Sequence, residues 1–374
     1  MSNKHLHIIS FDVPFPADYG GVIDVYYKLE ELNKVGVEIH LHCFEYGRKH
    51  SAELDKLCNE VIYYKRNTAL LQHFSITPYI IKSRISSKLI HNLKKDNYPI
   101  LCEGMHTCGI LGYFENRKII YRSSNVEHVY YYELAKKEGL FYKKIFFVAE
   151  ALRLKLWERN LRKSSLFLTV NKSERDYYNK RFKGIKIENI YSFYNQKINL
   201  LPDFNIKTKN ILFHGNLSVQ ENIETAQYII SEIAIKSNYN FIIAGKSPDR
   251  KLISLAEKQS NVTILSDLTE KEMNRQISQA QINLLLTKQT TGLKLKLLNS
   301  LYQGKFCIVN YNMLVGTGLE SCVDIANTSS EILSKIEELM QIDFTESLYS
   351  KRKSLIPTEF ENKFKVEQMI KLIF

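Results

Sequence analysis

The chain has 374 residues, of which 44% are hydrophobic and 25% are charged, and its net charge at pH 7 is +12. This composition is that of a soluble globular protein, and the length suffices for two domains of about 150–200 residues each. No apolar run approaches the roughly 18 residues that a membrane-spanning helix needs, so the sequence predicts no span. The positive charge predicts an anionic partner, whether a small molecule, a nucleic acid or a lipid surface.

The six cysteines show no Cys-x-x-Cys spacing, and several of them fall in apolar runs. We therefore expect reduced, buried thiols in a cytosolic protein, and no zinc site. The apolar residues 6–11 are typical of a first strand and not of a signal peptide, because Asp12 and Pro14 interrupt them at once.

The first strand leads into a loop and then a helix with an apolar face from Val22 to Leu32. Gly20 and Gly21 at the start of this helix allow the backbone to approach a ligand closely. The pair is not part of a Gly-x-Gly-x-x-Gly fingerprint, and the sequence has none elsewhere. Further strands are predicted at residues 37–43, 61–64 and 100–103, and residues 69–95 are predicted to be helical and basic.

Polar side chains follow two of the predicted strands. His106 comes after residues 100–103, where α/β proteins bind ligands, although a loop histidine with satisfied hydrogen bonds explains it equally well. The strand at 118–121 runs into Asn125, Glu127 and His128. These three side chains can either contact a ligand or cap a helix over residues 126–138.

Residues 141–163 predict a long helix that is both amphipathic and basic. Its apolar face is formed by Phe141, Ile145, Val148, Leu152 and Leu156, and it carries seven Lys and Arg residues. Such a helix can lie on an anionic membrane surface. The interpretation we favour is that the apolar face packs on the domain and the basic side chains are solvated.

A second α/β half follows residues 192–209, which have no clear periodicity and predict a linker. Gly215 and Asn216 come after its first strand, Gly245 and Lys246 after the strand at 240–244, and Asp267 with Leu268 after the strand at 262–265. Helices are predicted over residues 329–341 and 359–374.

The most informative stretch is residues 288–305, which follows an apolar strand at 282–286. Thr290, Thr291 and Gly292 predict a capped turn, and leucines at helical spacing from Leu293 predict a helix that ends at Gly304. Free backbone N–H groups at such a helix start attract anions, and Lys294 and Lys296 add positive charge. The stretch therefore predicts a diphosphate site, with an ordinary βα unit and solvated lysines as the alternative.

The alternation of strands and helices in two halves predicts two doubly wound α/β domains with a cleft between them. We predict a first Rossmann-like domain over residues 1–195, a linker at 196–209 and a second Rossmann-like domain over 210–358. A final helix at 359–374 is expected to cross back to the first domain.

Several segments, taken in order, resemble retaining glycosyltransferases of the GT-B fold, and family 4 in particular. The segments are 10–24, 121–128, 211–217, 243–248 and 290–305. The last of them, Thr-Gly-Leu-Lys-x-Lys-Leu-Leu-Asn-Ser-Leu-x-x-Gly-Lys, resembles that family's nucleotide-sugar motif. The family usually has Glu-x7-Glu here, whereas this chain has Thr291 and Asn299 at the two positions.

The resemblance implies transfer of a sugar from a nucleoside-diphosphate donor to a hydroxyl of a saccharide or lipid-linked saccharide, with retention and with no metal or other cofactor. It is typical of a divergent enzyme of bacterial polysaccharide biosynthesis. By this resemblance the catalytic residues are His106, Lys246 and Lys294. The implied donor-binding residues are Gly20, Gly21, Gly215, Asn216, Asp267, Leu268, Thr291, Gly292, Leu293 and Asn299. The implied contacts with acceptor or sugar are Asn125, Glu127 and His128, in an acceptor-side first domain.

Two other functions are weighed. A non-catalytic, transferase-like subunit that binds sugar or a partner enzyme is suggested by the two missing carboxylates. Nucleic-acid binding is disfavoured, because the basic residues fall on separate helices and no nucleic-acid-binding motif is present. We expect a cytoplasmic protein, with peripheral attachment to the inner face of the cytoplasmic membrane if its acceptor is lipid-linked.

Overall fold

The computed structural model describes residues 4–69, 72–73, 75–196, 201–205, 208–290 and 294–374. They group into two compact units. The first unit contains the residues up to Asn195 together with Thr358–Phe374, and the second contains the chain between them. Residues of the predicted linker group with the second unit where they are described, and the Thr208 hydroxyl donates to the carbonyl oxygen of Gln279 (2.6 Å).

Strands and helices alternate along the first unit. In chain order they are β1 (Lys4–Ser10), α1 (Gly20–Lys34), β2 (Val37–Glu45), α2 (Ala52–Asp55), β3 (Glu60–Lys65), α3 (Tyr79–Lys82), α4 (Ser87–Leu93), β4 (Ile100–Glu103), β5 (Ile119–Ser123), α5 (Glu127–Lys137), α6 (Phe141–Trp157), β6 (Leu166–Thr169), α7 (Lys172–Arg181) and β7 (Lys186–Asn189). The strands form one sheet in the order β3-β2-β1-β4-β5-β6-β7, and each recorded pairing is parallel. Both faces of this sheet carry a buried apolar cluster, as a parallel sheet covered by helices on both sides requires.

The second unit repeats this plan. Its elements are β8 (Asn210–His214), α8 (Gln220–Tyr228), β9 (Asn240–Gly245), α9 (Arg250–Ala256), β10 (Val262–Ser266), α10 (Glu270–Gln279), β11 (Ile282–Leu285), α11 (Leu295–Gln303), β12 (Phe306–Val309), α12 (Tyr311–Leu314), β13 (Asp324–Ile325), α13 (Ser329–Met340) and α14 (Glu346–Leu355). Its strands are parallel in the order β10-β9-β8-β11-β12-β13. The prediction of two doubly wound α/β units is confirmed.

The last helix, α15 (Asn362–Ile373), belongs to the first unit and packs on α1. Val366, Met369 and Ile373 lie in one of that unit's apolar clusters. The fully buried Lys365 ammonium donates to the carbonyl oxygen of Ser192 (2.7 Å), and Asn362 Nδ2 donates to that of Tyr194 (2.8 Å). These bonds fix α15 to the segment that follows β7.

Two predictions about helices are wrong. Where residues 69–95 are described, they form only the short helices α3 and α4, which begin after Pro78 and Ser86. The apolar face predicted to pack α6 on the domain is largely exposed. The helix is instead held by its other side, where Glu150, Ala151 and Leu154 are buried. The prediction that the cysteines are buried is confirmed for all six.

Among the elements that the sequence analysis missed are β7, β13 and α14. β7 has one buried apolar residue, Ile187, and β13 has only two residues, so neither shows a strand period. The helix α14 is polar along most of its length and is recognisable mainly by Thr345, whose hydroxyl caps its first turn.

Candidate functional site

The chain order reverses once in each sheet. The reversal falls between β1 and β4 in the first unit and between β8 and β11 in the second. In open parallel sheets, ligands bind at the carboxyl ends of the strands at such a reversal, because the neighbouring loops there part to opposite faces. Most of the site residues predicted from the sequence follow strands that lie at or near these two reversals, at the carboxyl ends of the strands.

At the reversal in the first unit, the segments that follow β1 and β4 meet. The ring of Phe11, after β1, lies 5.4 Å from the ring of His106, in the 3-10 turn Met105–Ile110 after β4. Burial, together with the positive charges of Arg84 and Arg66, holds the pKa of His106 well below its usual range. His106 is therefore a neutral imidazole at pH 7. Its Nδ1 is buried and has no hydrogen-bond partner among the described residues.

A glycine makes room for this imidazole. Gly104 has a φ of 70°, and a Cβ at this position would lie 2.9 Å from His106 Nδ1. Any other residue here would be strained and would also cover the nitrogen.

Gly20 and Gly21 are the first two residues of α1. The preceding residue, Tyr19, makes no side-chain cap on the helix, and its hydroxyl donates instead to Asp12 Oδ2 (3.1 Å). A Cβ at Gly20 would meet no atom within 4 Å, whereas one at Gly21 would lie 2.7 Å from the Phe11 ring. The backbone N–H groups at the start of α1 therefore have no side-chain cap, and they lie beside the Phe11 ring.

Glu127 is the first residue of α5 and is only 2% exposed. Burial, and then the negative charge of Glu174, raise the pKa of Glu127 to about 8. Its carboxyl group is therefore mostly protonated at neutral pH and can donate a hydrogen bond. Within the described part of the chain, its Oε1 has no hydrogen-bond partner. The sequence analysis did not include Glu174, which lies in α7 and accepts from Ser123 Oγ (3.3 Å).

Asn125 and His128 are placed differently from Glu127. The Asn125 carbonyl oxygen accepts from Ser123 Oγ (3.1 Å), in the turn between β5 and α5. The Nδ1 atom of His128 lies 3.2 Å from Oε2 of the fully buried Glu158, close enough for an ion pair but without the geometry of a hydrogen bond. Neither side chain caps α5, whose N-cap is Val126 without a side-chain bond. The capping alternative for these residues is therefore wrong.

In the second unit, the loops after β8 and β9 touch through their glycines. A Cβ on Gly245 would lie 1.9 Å from the carbonyl oxygen of Gly215. Asn216 is exposed beside this contact, and its Oδ1 accepts from the backbone N–H of Ser218 (3.0 Å) in a tight turn. Lys246 follows Gly245 and is exposed at the same edge.

The loop after β10 is tied to the loop after β9. Asp267 has a φ of 54°, its N–H donates to the Gly245 carbonyl oxygen (3.1 Å), and its Oδ1 accepts from the Ser247 N–H (3.2 Å). The Leu268 side chain packs on a small apolar cluster that contains Leu212. Packing of the Leu268 side chain leaves the backbone of this loop as its main polar surface.

The loop after β11 is organised by a carboxylate that the sequence analysis did not single out. Glu221 Oε1, in α8, accepts from the backbone N–H groups of Lys288 (3.0 Å) and Gln289 (3.1 Å) and from the Thr287 hydroxyl. The Lys288 ammonium pairs with Glu224 (2.9 Å). Glu221 and Glu224 of α8 therefore fix the start of the loop after β11 and place negative charge beside it.

Lys294 is the N-cap of α11, so the prediction that it lies within the first helical turn is wrong by one residue. Its ammonium donates to Gln289 Oε1 (3.1 Å), across the loop. Thr291, Gly292 and Leu293 lie outside the described residues. Asn299 lies in α11 and is half-buried.

Lys296, the second residue of α11, is a lysine whose pKa is shifted by its surroundings. Burial lowers its pKa to about 8, and the Glu221 charge only partly opposes that shift. Its ammonium lies 5.2 Å from the centre of the Phe213 ring in β8. Burial, and then the Lys296 charge, also lower the pKa of the neighbouring His214 to about 3, so this histidine is neutral and lies 3.3 Å from Ser300 Oγ. The sequence shows the charge of Lys296 but not its burial.

The described residues contain no group of three or more His, Cys, Asp or Glu side chains with an arrangement that could hold a metal ion. The positive groups at the second unit's edge are lysine ammonium groups and backbone N–H groups. Such groups bind phosphate oxygens.

No protein-family model matches this chain. An uncharacterized 44.6 kDa protein in cps region, from Klebsiella pneumoniae, is 25% identical over 351 residues, which cover 87% of this chain and 88% of that protein.

Solved structures share the fold over nearly the whole chain. Sucrose-phosphate synthase from Thermosynechococcus elongatus superposes with a TM-score of 0.72 at 14% identity, covering 99% of this chain and 98% of that one. TarM from S. aureus gives 0.68 at 12%, and HepE from Anabaena gives 0.66 at 10%, each covering 99% of both chains. These likenesses and the two reversed parallel sheets confirm the predicted α/β architecture of the GT-B type.

Proposed function

We propose that this protein is a glycosyltransferase that moves a sugar from a nucleoside diphosphate to a hydroxyl of a saccharide or lipid-linked saccharide. One observation carries the proposal. At the chain reversal of the second unit, two glycine loops in backbone contact come to the same sheet edge as Lys246, Lys294 and Lys296. Among the structures similar in fold, HepE contains UDP and glucose, and TarM contains UDP with alpha-GlcNAc-glycerol.

In this proposal the second unit binds the donor. Departure of a nucleoside diphosphate builds negative charge on its phosphates, and preorganised positive groups stabilise that charge. Lys246, Lys294 and Lys296 supply it, while Gly215 and Gly245 let the backbone approach. The backbone at Asp267 and Leu268 holds the nucleobase, and Asn299 faces the ribose. With ammonium groups in this role, the reaction needs no metal ion.

The first unit supplies the groups that meet the transferred sugar and the acceptor. His106 and Glu127 are both neutral at pH 7, and each has a buried polar atom without a partner in the described residues. Neutral donors and acceptors of this kind suit sugar hydroxyls. We propose that His106 contacts the donor sugar and Glu127 the acceptor, with Asn125 beside it. His128, whose Nδ1 lies 3.2 Å from Glu158, positions the start of α5.

We further propose that the reaction retains the anomeric configuration, because the sequence resembles retaining transferases. The acceptor hydroxyl would attack on the face that the diphosphate leaves, and a phosphate oxygen would take the hydroxyl proton. The C–O bond to the diphosphate breaks as the new glycosidic bond forms. This path needs no protein carboxylate as nucleophile, so it accommodates Asn299 in place of the family's second glutamate.

The relative in a cps region supports a role in polysaccharide biosynthesis. We therefore place the acceptor among growing saccharides, including lipid-linked ones at the inner face of the cytoplasmic membrane. Apart from such peripheral attachment to the membrane, we propose that the protein is cytoplasmic.

The test is a thermal-shift screen of the purified protein against nucleotide-sugars and nucleoside diphosphates, beginning with UDP and UDP-sugars. Ligand at about 100 times its dissociation constant stabilises the protein by roughly 2.7 kcal/mol. Stabilising donors are then incubated with saccharide acceptors, and released nucleotide and the anomeric signal of the product are measured. Binding with turnover supports the enzyme, and an inverted product contradicts retention. Binding without turnover would favour the non-catalytic subunit suggested by the lost carboxylates, and no binding would contradict both.

A further inference from the structure

Helix α6 presents an apolar stripe to solvent. At 3.6 residues per turn, Phe141, Ile145, Val148, Leu152 and Leu156 fall within an arc of about 80°. Four of the five are well exposed: Phe141 is 77%, Leu156 68%, Leu152 60% and Ile145 53% exposed. The opposite side of the helix packs on α5 and on the body of the first unit. The stripe is therefore an outward face and not part of the core.

The charge around this stripe has one sign. Residues 141–163 carry seven Lys and Arg residues and two acidic ones, Glu150 and Glu158, which are both fully buried. Lys144 and Lys155 are exposed and flank one edge of the stripe, and Arg159, Arg162 and Lys163 are exposed in the 3-10 turn that continues the helix. An exposed apolar stripe flanked by cations is complementary to a partner that has an apolar interior and anionic groups at its surface.

We propose that α6 binds the surface of an anionic lipid bilayer, with the stripe in the acyl boundary and the flanking cations at the headgroups. A helix with these two features lies in the plane of the interface. No helix in the described ranges is long and apolar enough to cross a membrane, and this mode of binding requires none. A second copy of the chain is a poorer occupant, because it would bring Lys144 and Lys155 against their own counterparts. The inference goes beyond the transferase proposal and does not depend on it.

Co-sedimentation with vesicles tests the proposal. We expect the full chain to bind vesicles of phosphatidylcholine with about 30% phosphatidylglycerol at low salt, to ignore pure phosphatidylcholine, and to dissociate as the salt concentration rises. Leu152→Ser/Leu156→Ser should weaken binding about tenfold or more, because it removes apolar area from the interface. Lys144→Glu/Lys155→Glu should weaken it by a similar factor.

Two matched variants serve as controls. Ile235→Ser/Leu355→Ser removes two exposed apolar residues of the second unit, and Lys251→Glu/Lys258→Glu makes the same change in net charge on α9 and the turn after it. Both should bind as the wild type does. Every substituted residue of the four variants is exposed, and thermal melting checks that each protein folds.

Three results would overturn the proposal. They are an absence of binding to the anionic vesicles at low salt, an equal loss in the control variants, and a stripe variant that binds normally. Sedimentation velocity adds a fourth, namely a dimer that the stripe variant converts to monomer. Nucleotide-sugar binding is measured on the same samples, so failure here is distinguishable from failure of the transferase proposal.

Discussion

Gly245 lies against the carbonyl oxygen of Gly215, so closely that a Cβ on Gly245 would stand 1.9 Å from that oxygen. The contact joins the loops after β8 and β9 at the chain reversal of the second unit. Because the obstacle is backbone, it cannot be relieved by a side-chain rotation. The spacing of these two loops therefore depends on the absence of a side chain at residue 245.

We expect Gly245→Ala to destabilise the protein by about 1–3 kcal/mol or more, since an extra methyl group in a closed contact forces the backbone to move. Donor binding should fall as well, because the two loops separate. Gly139→Ala is the control, since a Cβ there would meet nothing within 4 Å. Chemical denaturation and nucleotide titration measure the two effects. A Gly245→Ala variant as stable as Gly139→Ala would contradict the description of this contact.

Lys294→Ala should reduce donor affinity or turnover far more than stability. The removed ammonium group donates to Gln289 in the structure, and a charge-assisted bond from it to phosphate is worth roughly 1.5–3 kcal/mol. The expected loss in kcat/KM is roughly tenfold to a hundredfold. The exposed Lys251→Ala in α9 should leave kinetics unchanged. Equal kinetics for the two variants would remove Lys294 from the site.

The pKa of Lys296 predicts a pH dependence. Its folded-state pKa of about 8 lies below the ordinary value of 10.5, so the unfolded chain holds this proton more tightly. Stability from this residue should therefore rise with pH between about 8 and 10.5. Lys296→Met should raise the melting temperature at pH 7 and abolish that rise. If Lys296 contacts phosphate, calorimetry near pH 8 should also show proton uptake when a nucleoside diphosphate binds. A Met variant with an unaltered pH profile would contradict the assignment.

Glu127 should have the opposite effect to Lys296, lowering the stability of the protein as the pH rises. Its folded-state pKa of about 8 lies above the ordinary 4.5, so the unfolded chain loses the proton first as the pH rises. Stability from this residue should fall between about pH 4.5 and 8, and Glu127→Gln should remove that fall. The gain at pH 7.5 should be about 2–4 °C for each kcal/mol recovered. Because Gln resembles the protonated acid, the acceptor KM should change little, whereas Glu127→Leu should raise it. A Gln variant that melts as the wild type does at every pH would contradict a protonated Glu127.

Substitutions of Asn299 test how donor binding depends on the carboxylate that this chain lacks at this position. An amide can bond to ribose hydroxyls but carries no full charge, so its contact is weaker than that of a glutamate. We expect Asn299→Glu to maintain or tighten donor binding and Asn299→Leu to weaken it modestly. Tyr302→Phe, elsewhere on α11, is the control. Loss of binding with Glu and none with Leu would show that Asn299 does not face the ribose.

The long-range plan of the fold could be predicted because buried parallel strands appear as short apolar runs. Residues 100–103, for example, form a strand with the predicted bounds. Amphipathic periodicity was less reliable. It identified α6 but assigned its apolar stripe to the core, because spacing shows that a stripe exists and not which side of the helix is buried. Residues 69–95 were predicted to be helical, but where they are described only the short helices α3 and α4 form there.

In the candidate site, the sequence indicated residues that follow strands, since position along the chain determines the sheet edge. It could not indicate Glu221, which acts through backbone N–H groups 67 and 68 positions away. Nor could it show that Glu127 and Lys296 titrate abnormally, because those shifts come from burial and from neighbours such as Glu174 that are distant in the chain. Environment, more than residue type, sets the chemistry of these positions.

The attachment of α15 to the first unit has a consequence for biosynthesis. Domains usually fold in the order in which they leave the ribosome, N-terminal first. Here the apolar cluster beneath α1 lacks Val366, Met369 and Ile373 until α15 is made, and only then can Lys365 donate to the Ser192 carbonyl oxygen. The second unit, which is inserted between the two parts of the first, has by then been translated in full. The half of the chain that is synthesised first is therefore the half whose folding is completed last.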